Sequence, residues 1–374
     1  MNKKNDYPDL SNLTIGEKKK TFIDKRIIHP ILDDVYSKVS SMIEEGPKGQ
    51  VFLVYGPTGV GKSTLFNRVK NDIRKKHNCE KKTTTIPIVC LELPAPDSGK
   101  FNWKDFYKRM LIEMQEPLVN KKISKSLVRK PNLKNHLPAT APELRESLEN
   151  CIVHRKTGVI LLDEAQHLLK VASAKGIQDQ MDALKSIANI TGVKLFLFGT
   201  YELMDFFDLN GQLGRRTNEI HFSRYNLDIE EELIAFKNVI NTFQSHLPLD
   251  KPQNLINFWE FLYERSLGCI GILKNWLDEC LKDVLNSNLS EITLSVLERN
   301  APSPTKALRI ADEILNGERK LQEQRVNNRI LLRQRLGLEE RSAIPKENKE
   351  IVKTKKKSVG KRNPMRDPIG IKEG

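Results

Sequence analysis

Val51-Phe-Leu-Val-Tyr-Gly-Pro-Thr-Gly-Val-Gly-Lys-Ser63 is the stretch around which the rest of the chain is read. Five apolar residues, 51–55, end at a turn, which is the pattern of a buried strand. Gly56, Gly61, Lys62 and Ser63 then fit G-x-x-x-x-G-K-[ST], and Leu65, Phe66 and Val69 give one apolar face to a following helix. Strand, glycine loop and helix in that order are the context the pattern requires. Glycines at 56, 59 and 61 let successive backbone N–H groups turn inward around phosphate oxygens. The helix N-terminus adds partial positive charge. The loop, with Pro57, Thr58, Val60 and Thr64 filling the positions between and after, is therefore expected to cradle ATP. Lys62 is expected to reach the β- and γ-phosphates and the Ser63 hydroxyl to ligate Mg²⁺.

A second chemical motif lies downstream. Residues 159–162, Val-Ile-Leu-Leu, read as another buried strand, and Asp163 and Glu164 emerge at its C-terminal end. That edge is where open α/β sheets bind ligands. Asp163 suits an indirect contact to the metal, through a water or a ligand of the ion, and Glu164 suits a general base for the attacking water, which points to hydrolysis rather than binding alone. Residues 194–198 form a further strand that ends at Gly199-Thr200, placing Thr200 to hold the lytic water or sense the γ-phosphate. Arg215 and Arg216 precede a short strand at 219–222, and a guanidinium there is a candidate arginine finger for a neighbouring subunit's ATP. The pattern does not choose between the two. Lys274 falls in the first turn of a helix, where the helix dipole disfavours a cation unless an anion is near. That placement suggests a phosphate sensor.

Around these motifs the chain sorts into segments. Residues 1–20 are polar and are expected to be loose. Pro30 opens a helix to about Glu44, which makes Ile28, His29 and Pro30 candidates to flank the adenine. Residues 86–93 read as a strand. The long interval before 159 is expected to hold helices at 103–114 and 142–153, separated by a stretch with Lys121, Lys122, Lys125, Arg129 and Lys130 and no acidic residue from 119 to 137. Such a stretch is either a solvated loop or a DNA-facing one. From 228 the periodicity is helical, through 230–243, 254–265, 268–285 and 292–299. Pro302 and Pro304 mark the expected end of the compact part. Helix is expected again over 305–337, and beyond 341 the Lys/Pro/Gly-rich composition predicts disorder.

Lys plus Arg number 62 against 48 Asp plus Glu, a net charge of +14 over 374 residues. That favours nucleic acid or another polyanion as partner. Five cysteines without C-x-x-C spacing argue against a disulfide framework or zinc knuckle and fit a reduced, cytoplasmic setting. There is no apolar signal-peptide core and no run of 18 apolar residues. The expectation is an α/β fold: a five-stranded parallel P-loop sheet (49–226) preceded by a helical segment (1–48), followed by a small helical lid (227–300) and a C-terminal helix with a basic tail (301–374).

GPTGVGKS, VILLDEAQHL, LFLFGT, the GRR pair and GxxGxLK together resemble an AAA+ ATPase. DEAQHL, LFGTYEL and RRTNEIHFSRY are similar to the TnsC/TniB family, the ATP-dependent target regulators of heteromeric, Tn7-like transposons. The resemblance covers about residues 22–285. It implies a homo-oligomeric ring or filament on duplex DNA that links a target-selecting protein to a transposase, with hydrolysis taking the assembly apart. Carried over by position, it assigns Lys62 and Ser63 to Walker A and Asp163 and Glu164 to Walker B. Thr200 becomes sensor 1, Lys274 sensor 2, and Arg215 or Arg216 the finger. It also puts DNA contacts in the region between the second and third strands, which matches the basic interval. Lys274 departs from the commoner arginine. Two other readings share the motifs: an AAA+ loader or remodeller of another machine, helicase-loader-like or secretion-type, and a scaffold that uses ATP only to fold.

Overall fold

The computed structural model describes residues 14–77, 84–97, 99–122, 139–170, 174–208 and 217–338. Its strands are β1 (Val51–Tyr55), β2 (Ile88–Glu92), β3 (Val159–Asp163), β4 (Lys194–Gly199) and β5 (Thr217–His221). They form one parallel sheet in the order β2-β3-β4-β1-β5. Parallel strands need crossovers, and these bring helices onto both faces. In chain order the helices are α1 (Ile15–Ile23), α2 (Pro30–Glu44), α3 (Lys62–Lys76), α4 (Trp103–Glu113), α5 (Ala141–His154), α6 (Ala174–Thr191), α7 (Asp205–Asp208), α8 (Glu230–Ser245), α9 (Trp259–Ser266), α10 (Ile270–Asn286), α11 (Leu294–Asn300) and α12 (Pro304–Arg335).

The period-two geometry of a strand sorts the sheet's side chains into two cores. Val51, Leu53 and Tyr55 of β1 face one side with Ile160, Leu162, Leu195 and Leu197, covered by α4, α5 and α6. Phe52 and Val54 face the other with Leu161, Phe196 and Phe198, covered by Leu32, Val35 and Val39 of α2 and Leu65, Phe66 and Val69 of α3. Phe52 stacks on Phe196 at 4.5 Å between ring centroids. A third core belongs to the lid, where Phe236, Phe243, Leu273, Trp276 and Leu277 pack together.

Three expectations need correction. Residues 15–23 are helical rather than loose. Thr14 and Glu17 form a capping box, and the fully buried Phe22 sits in the lid core against Phe243. A polar N-terminal composition had concealed one apolar anchor and one cap. The fifth strand begins at Thr217, two residues before the expected start. Compact packing also continues past Pro302. The chain divides into a unit spanning Met1–Gln322 and a second spanning Glu323–Gly374, and the first part of α12 belongs to the former. There Glu318 pairs with Arg224 through both carboxylate oxygens, at 2.9 and 3.0 Å, and Leu321 joins a sheet core. Among the described residues no helix is long and apolar enough to cross a membrane.

Candidate functional site

β1 delivers the glycine loop to the C-terminal edge of the sheet, and α3 leaves it with Gly61 as its N-cap. Gly59 and Gly61 have φ of +80° and +118°, a region L side chains rarely adopt. The ammonium of Lys62 donates to the carbonyl oxygens of Gly56 and Pro57, both at 2.8 Å. Burial pushes its pKa down, opposed by the charges of Glu164 and Asp163. The loop is also held from the lid, since Gly271 N–H donates to Gly59 O at 2.7 Å at the start of α10.

β3 ends at Asp163, whose carboxyl accepts from the Glu164 N–H at 2.9 Å and is hydrogen-bonded by Ser63. Burial raises the Asp163 pKa, and the neighbouring Glu164 charge adds to the effect. Glu164 has φ of +53°, and this left-handed turn opens the 3₁₀ segment Ala165–Leu169. Gln166 Nε2 donates to Glu164 Oε2, and Gln166 Oε1 accepts from the Thr200 N–H at 3.3 Å. The Thr200 hydroxyl is buried and has no hydrogen-bond partner among the described groups.

A cleft of about 490 Å³ joins these parts. Thr58, Gly59, Val60, Gly61, Lys62, Ser63, Thr64, Glu164, Gln166 and Thr200 line it, with Lys274 and Asp278 on the lid side. Ile23, Ile27, Leu32 and Phe243 add apolar surface to the cleft beside His29, Lys25 and Arg26, surface of the kind that accepts a base. A cationic loop, hydroxyls, the Glu164 carboxylate and an apolar surface in one cleft match the parts of a nucleoside triphosphate. Ser63 and Asp163 are hard oxygen donors in contact with each other, a set that fits Mg²⁺. Among the described residues no cluster of three His, Cys, Asp or Glu could hold a metal by itself.

The structure separates several sequence candidates. His29 lines the cleft, but Ile28 does not and is 61 % exposed; Ile27 stands there instead. His29 is 4 % exposed, caps α2, and meets the Tyr225 hydroxyl at 3.0 Å. Lys274 lies at the cleft, but the anion it finds is Asp278, four residues on in its own helix, and its ammonium sits 4.1 Å from the Phe22 ring centroid. The helix-dipole argument for a phosphate partner is thus answered within the chain. Arg215, Arg216, Lys125, Arg129 and Lys130 lie outside the described residues, as does the side chain of Lys121. Lys122 pairs with Glu116 at 2.9 Å, an acidic partner just upstream of the interval. The sequence reading passed over Gln166, although its place in the D-E-A-Q run was the available signal, and over Asp278, which the i, i+4 rule would have paired with Lys274.

Residues 47–207 match the AAA domain family model. The segment carrying the glycine loop, the paired carboxylates and Thr200 is therefore an AAA domain, and the chain is an ATP-hydrolysing P-loop NTPase of AAA+ fold. Among solved structures it is similar to the Aeropyrum pernix ORC1 protein in complex with DNA, at 14% identity and a TM-score of 0.51, over 75% of this chain and 68% of that one. It is also similar to the Aeropyrum pernix ORC2 protein in its ADP form, at 14% identity and a TM-score of 0.50, over 75% and 71%. At such identity the likeness is one of fold. No curated protein sequence matches the chain.

Proposed function

We propose that this chain is an ATP-dependent, DNA-binding regulator of transposition. It assembles on duplex target DNA, links a target selector to a transposase, and comes apart on hydrolysis. The observation that carries the switch is the single cleft in which Lys62, Ser63, Glu164 and Thr200 meet under a lid that touches the glycine loop. The roles follow from position. Lys62 meets the β/γ-phosphates. Ser63 and Asp163 hold Mg²⁺, which neutralises phosphate charge when bound. Thr200 offers an unpartnered hydroxyl to the water or γ-phosphate, and Lys274 reaches phosphate only by exchanging Asp278 for it. In hydrolysis the water oxygen bonds to the γ-phosphorus, the bond from that phosphorus to the bridging oxygen breaks toward ADP, and the water's proton passes to the Glu164 carboxylate. Arg215 or Arg216 completes the site of a neighbouring subunit.

The transposition part of the proposal is supported by DEAQHL, LFGTYEL and RRTNEIHFSRY. The DNA part is supported by the net charge of +14 and the basic residues Lys121, Lys125, Arg129 and Lys130. The fold shared with an ORC1 protein solved on DNA favours a second reading, a loader for another DNA machine. Glu164→Gln separates the two. The amide keeps the shape and loses the base, so the variant should bind ATP, turn over at least a hundredfold more slowly and remain on duplex DNA as ordered filaments visible by electron microscopy. Wild-type protein should shed them as ATP is consumed. Turnover near the wild-type rate would remove Glu164 from the base role. Slow turnover without filaments on duplex DNA would favour the loader.

A further inference from the structure

Gln166 touches two parts of the hydrolytic machinery. It is 8 % exposed, so its carboxamide is sealed from bulk water and needs partners at both ends. It has them: Nε2 donates to Glu164 Oε2 and Oε1 accepts from the Thr200 N–H. The partners also fix which end is which. A carboxylate only accepts and a backbone N–H only donates, so the flipped amide would face acceptor with acceptor and donor with donor.

β4 makes room for this bridge. A Cβ on Gly199 would lie 2.5 Å from Gln166 Oε1 and 2.9 Å from Leu203 Cδ1, closer than real Cβ contacts come, so an alanine there would crowd the carboxamide as well as Leu203. Glu164 adds a third observation. Its φ of +53° is unfavourable for a residue with a side chain, and the turn it makes is the one that brings the carboxylate back to the Gln166 amide two residues on. Backbone strain at 164, a missing side chain at 199 and a buried amide at 166 thus meet at one place.

We infer that Gln166 is a positioning residue for ATP hydrolysis: it locks the Glu164 carboxylate to the end of β4, so that the base and the Thr200 hydroxyl address the same water. This rests on the reading of Glu164 as the base. A free glutamate side chain samples many rotamers, and a base must stand within hydrogen-bond reach of the proton it takes. One carboxylate oxygen is spent on the amide, and the other is left to the water. Gln166 borders the cleft, but in this scheme both ends of its carboxamide are taken by Glu164 and Thr200, so its loss should slow the chemical step far more than it weakens ATP binding.

Gln166→Met keeps the length and bulk and removes both hydrogen bonds. In the full-length protein, kcat should fall ten- to a hundredfold, while KM and the affinity for a fluorescent ATP analogue stay within about threefold of wild type; the melting temperature should drop by a few degrees, since the Thr200 N–H loses its acceptor. Glu164→Gln/Gln166→Met should be no slower than Glu164→Gln in single-turnover assays, because the group that Gln166 positions is gone. A kcat within twofold of wild type, a parallel loss of nucleotide affinity, or additive losses in the double variant would each overturn the inference. Glu164→Gln alone distinguishes the failures. If it turns over normally, the base assignment is wrong. If it is inactive and Gln166→Met is not, only the role of Gln166 is wrong.

Discussion

His29 shows how one residue can serve the fold and the ligand cleft together. Its ring caps α2, meets Tyr225 and borders the apolar surface of the cleft. Burial lowers its pKa from 6.5 to about 4. Between those values the unfolded chain binds a proton that the folded chain refuses. Stability from this group is therefore complete above about pH 6.5 and is lost as pH falls toward 4. At pH 5 the loss is about 2 kcal/mol, at about 1.4 kcal/mol per pH unit. Urea unfolding at pH 7 and pH 5 should show it, and His29→Asn, which can still cap the helix, should lose about 2 kcal/mol less across the same interval. Equal losses in the two proteins would clear His29 of the effect. At this scale the sequence was legible where a motif imposes geometry, as at Lys62, Ser63 and Asp163. It misled where a partner was supplied by the fold or by the next helical turn, as at Ile28, which faces solvent, and Lys274, which has Asp278.

Among the elements, the contact between the lid and the glycine loop carries the most consequence. Gly271 N–H donates to Gly59 O, and a Cβ at 271 would stand 2.5 Å from that same oxygen. The obstructing atom is backbone, so it cannot swing aside. Gly271→Ala should hold α10 off the loop, lowering ATP affinity about tenfold by titration calorimetry while leaving the sheet intact by circular dichroism. Unchanged affinity would mean that the lid does not help to hold nucleotide. The strands were the most legible elements, because apolar runs such as 51–55 and 195–198 are buried on both faces and leave no other reading. α6 was missed, although Ile177, Met181, Leu184, Ile187 and Ala188 recur at helical spacing toward the core. α1 was missed because a single aromatic, Phe22, anchors it.

For the molecule as a whole, the proposed DNA binding turns on which part of its positive charge would meet the duplex. The chain shows no base-reading motif, so contacts to phosphate are expected to dominate, giving affinity with little sequence preference. Structure narrows the sequence's list of contacts. Lys122 already has Glu116, which leaves Lys121, Lys125, Arg129 and Lys130 of the interval, with Lys355, Lys356, Lys357, Lys361 and Arg362 of the C-terminal segment as the rival source. A single subunit making a few phosphate contacts binds weakly, whereas an ATP-bridged array aligns many and multiplies the effect through local concentration. Duplex binding should therefore require ATP and fall steeply with salt, since each neutralised phosphate releases counterion. Reversing charge at Lys121, Lys125 and Arg129 should reduce the slope of log affinity against log salt by about 2–3 per subunit, at roughly 0.9 per lost contact. ATP binding by the monomer should be unaffected, because Lys62, Ser63 and the rest of the glycine loop are unchanged. Removing residues 339–374 from the full chain is the opposing experiment. If binding survives that truncation and fails in the triple reversal, the interval between β2 and β3 holds the DNA. If binding goes with the truncation and survives the reversal, the interval is a solvated loop and the C-terminal segment is the arm that reaches the duplex.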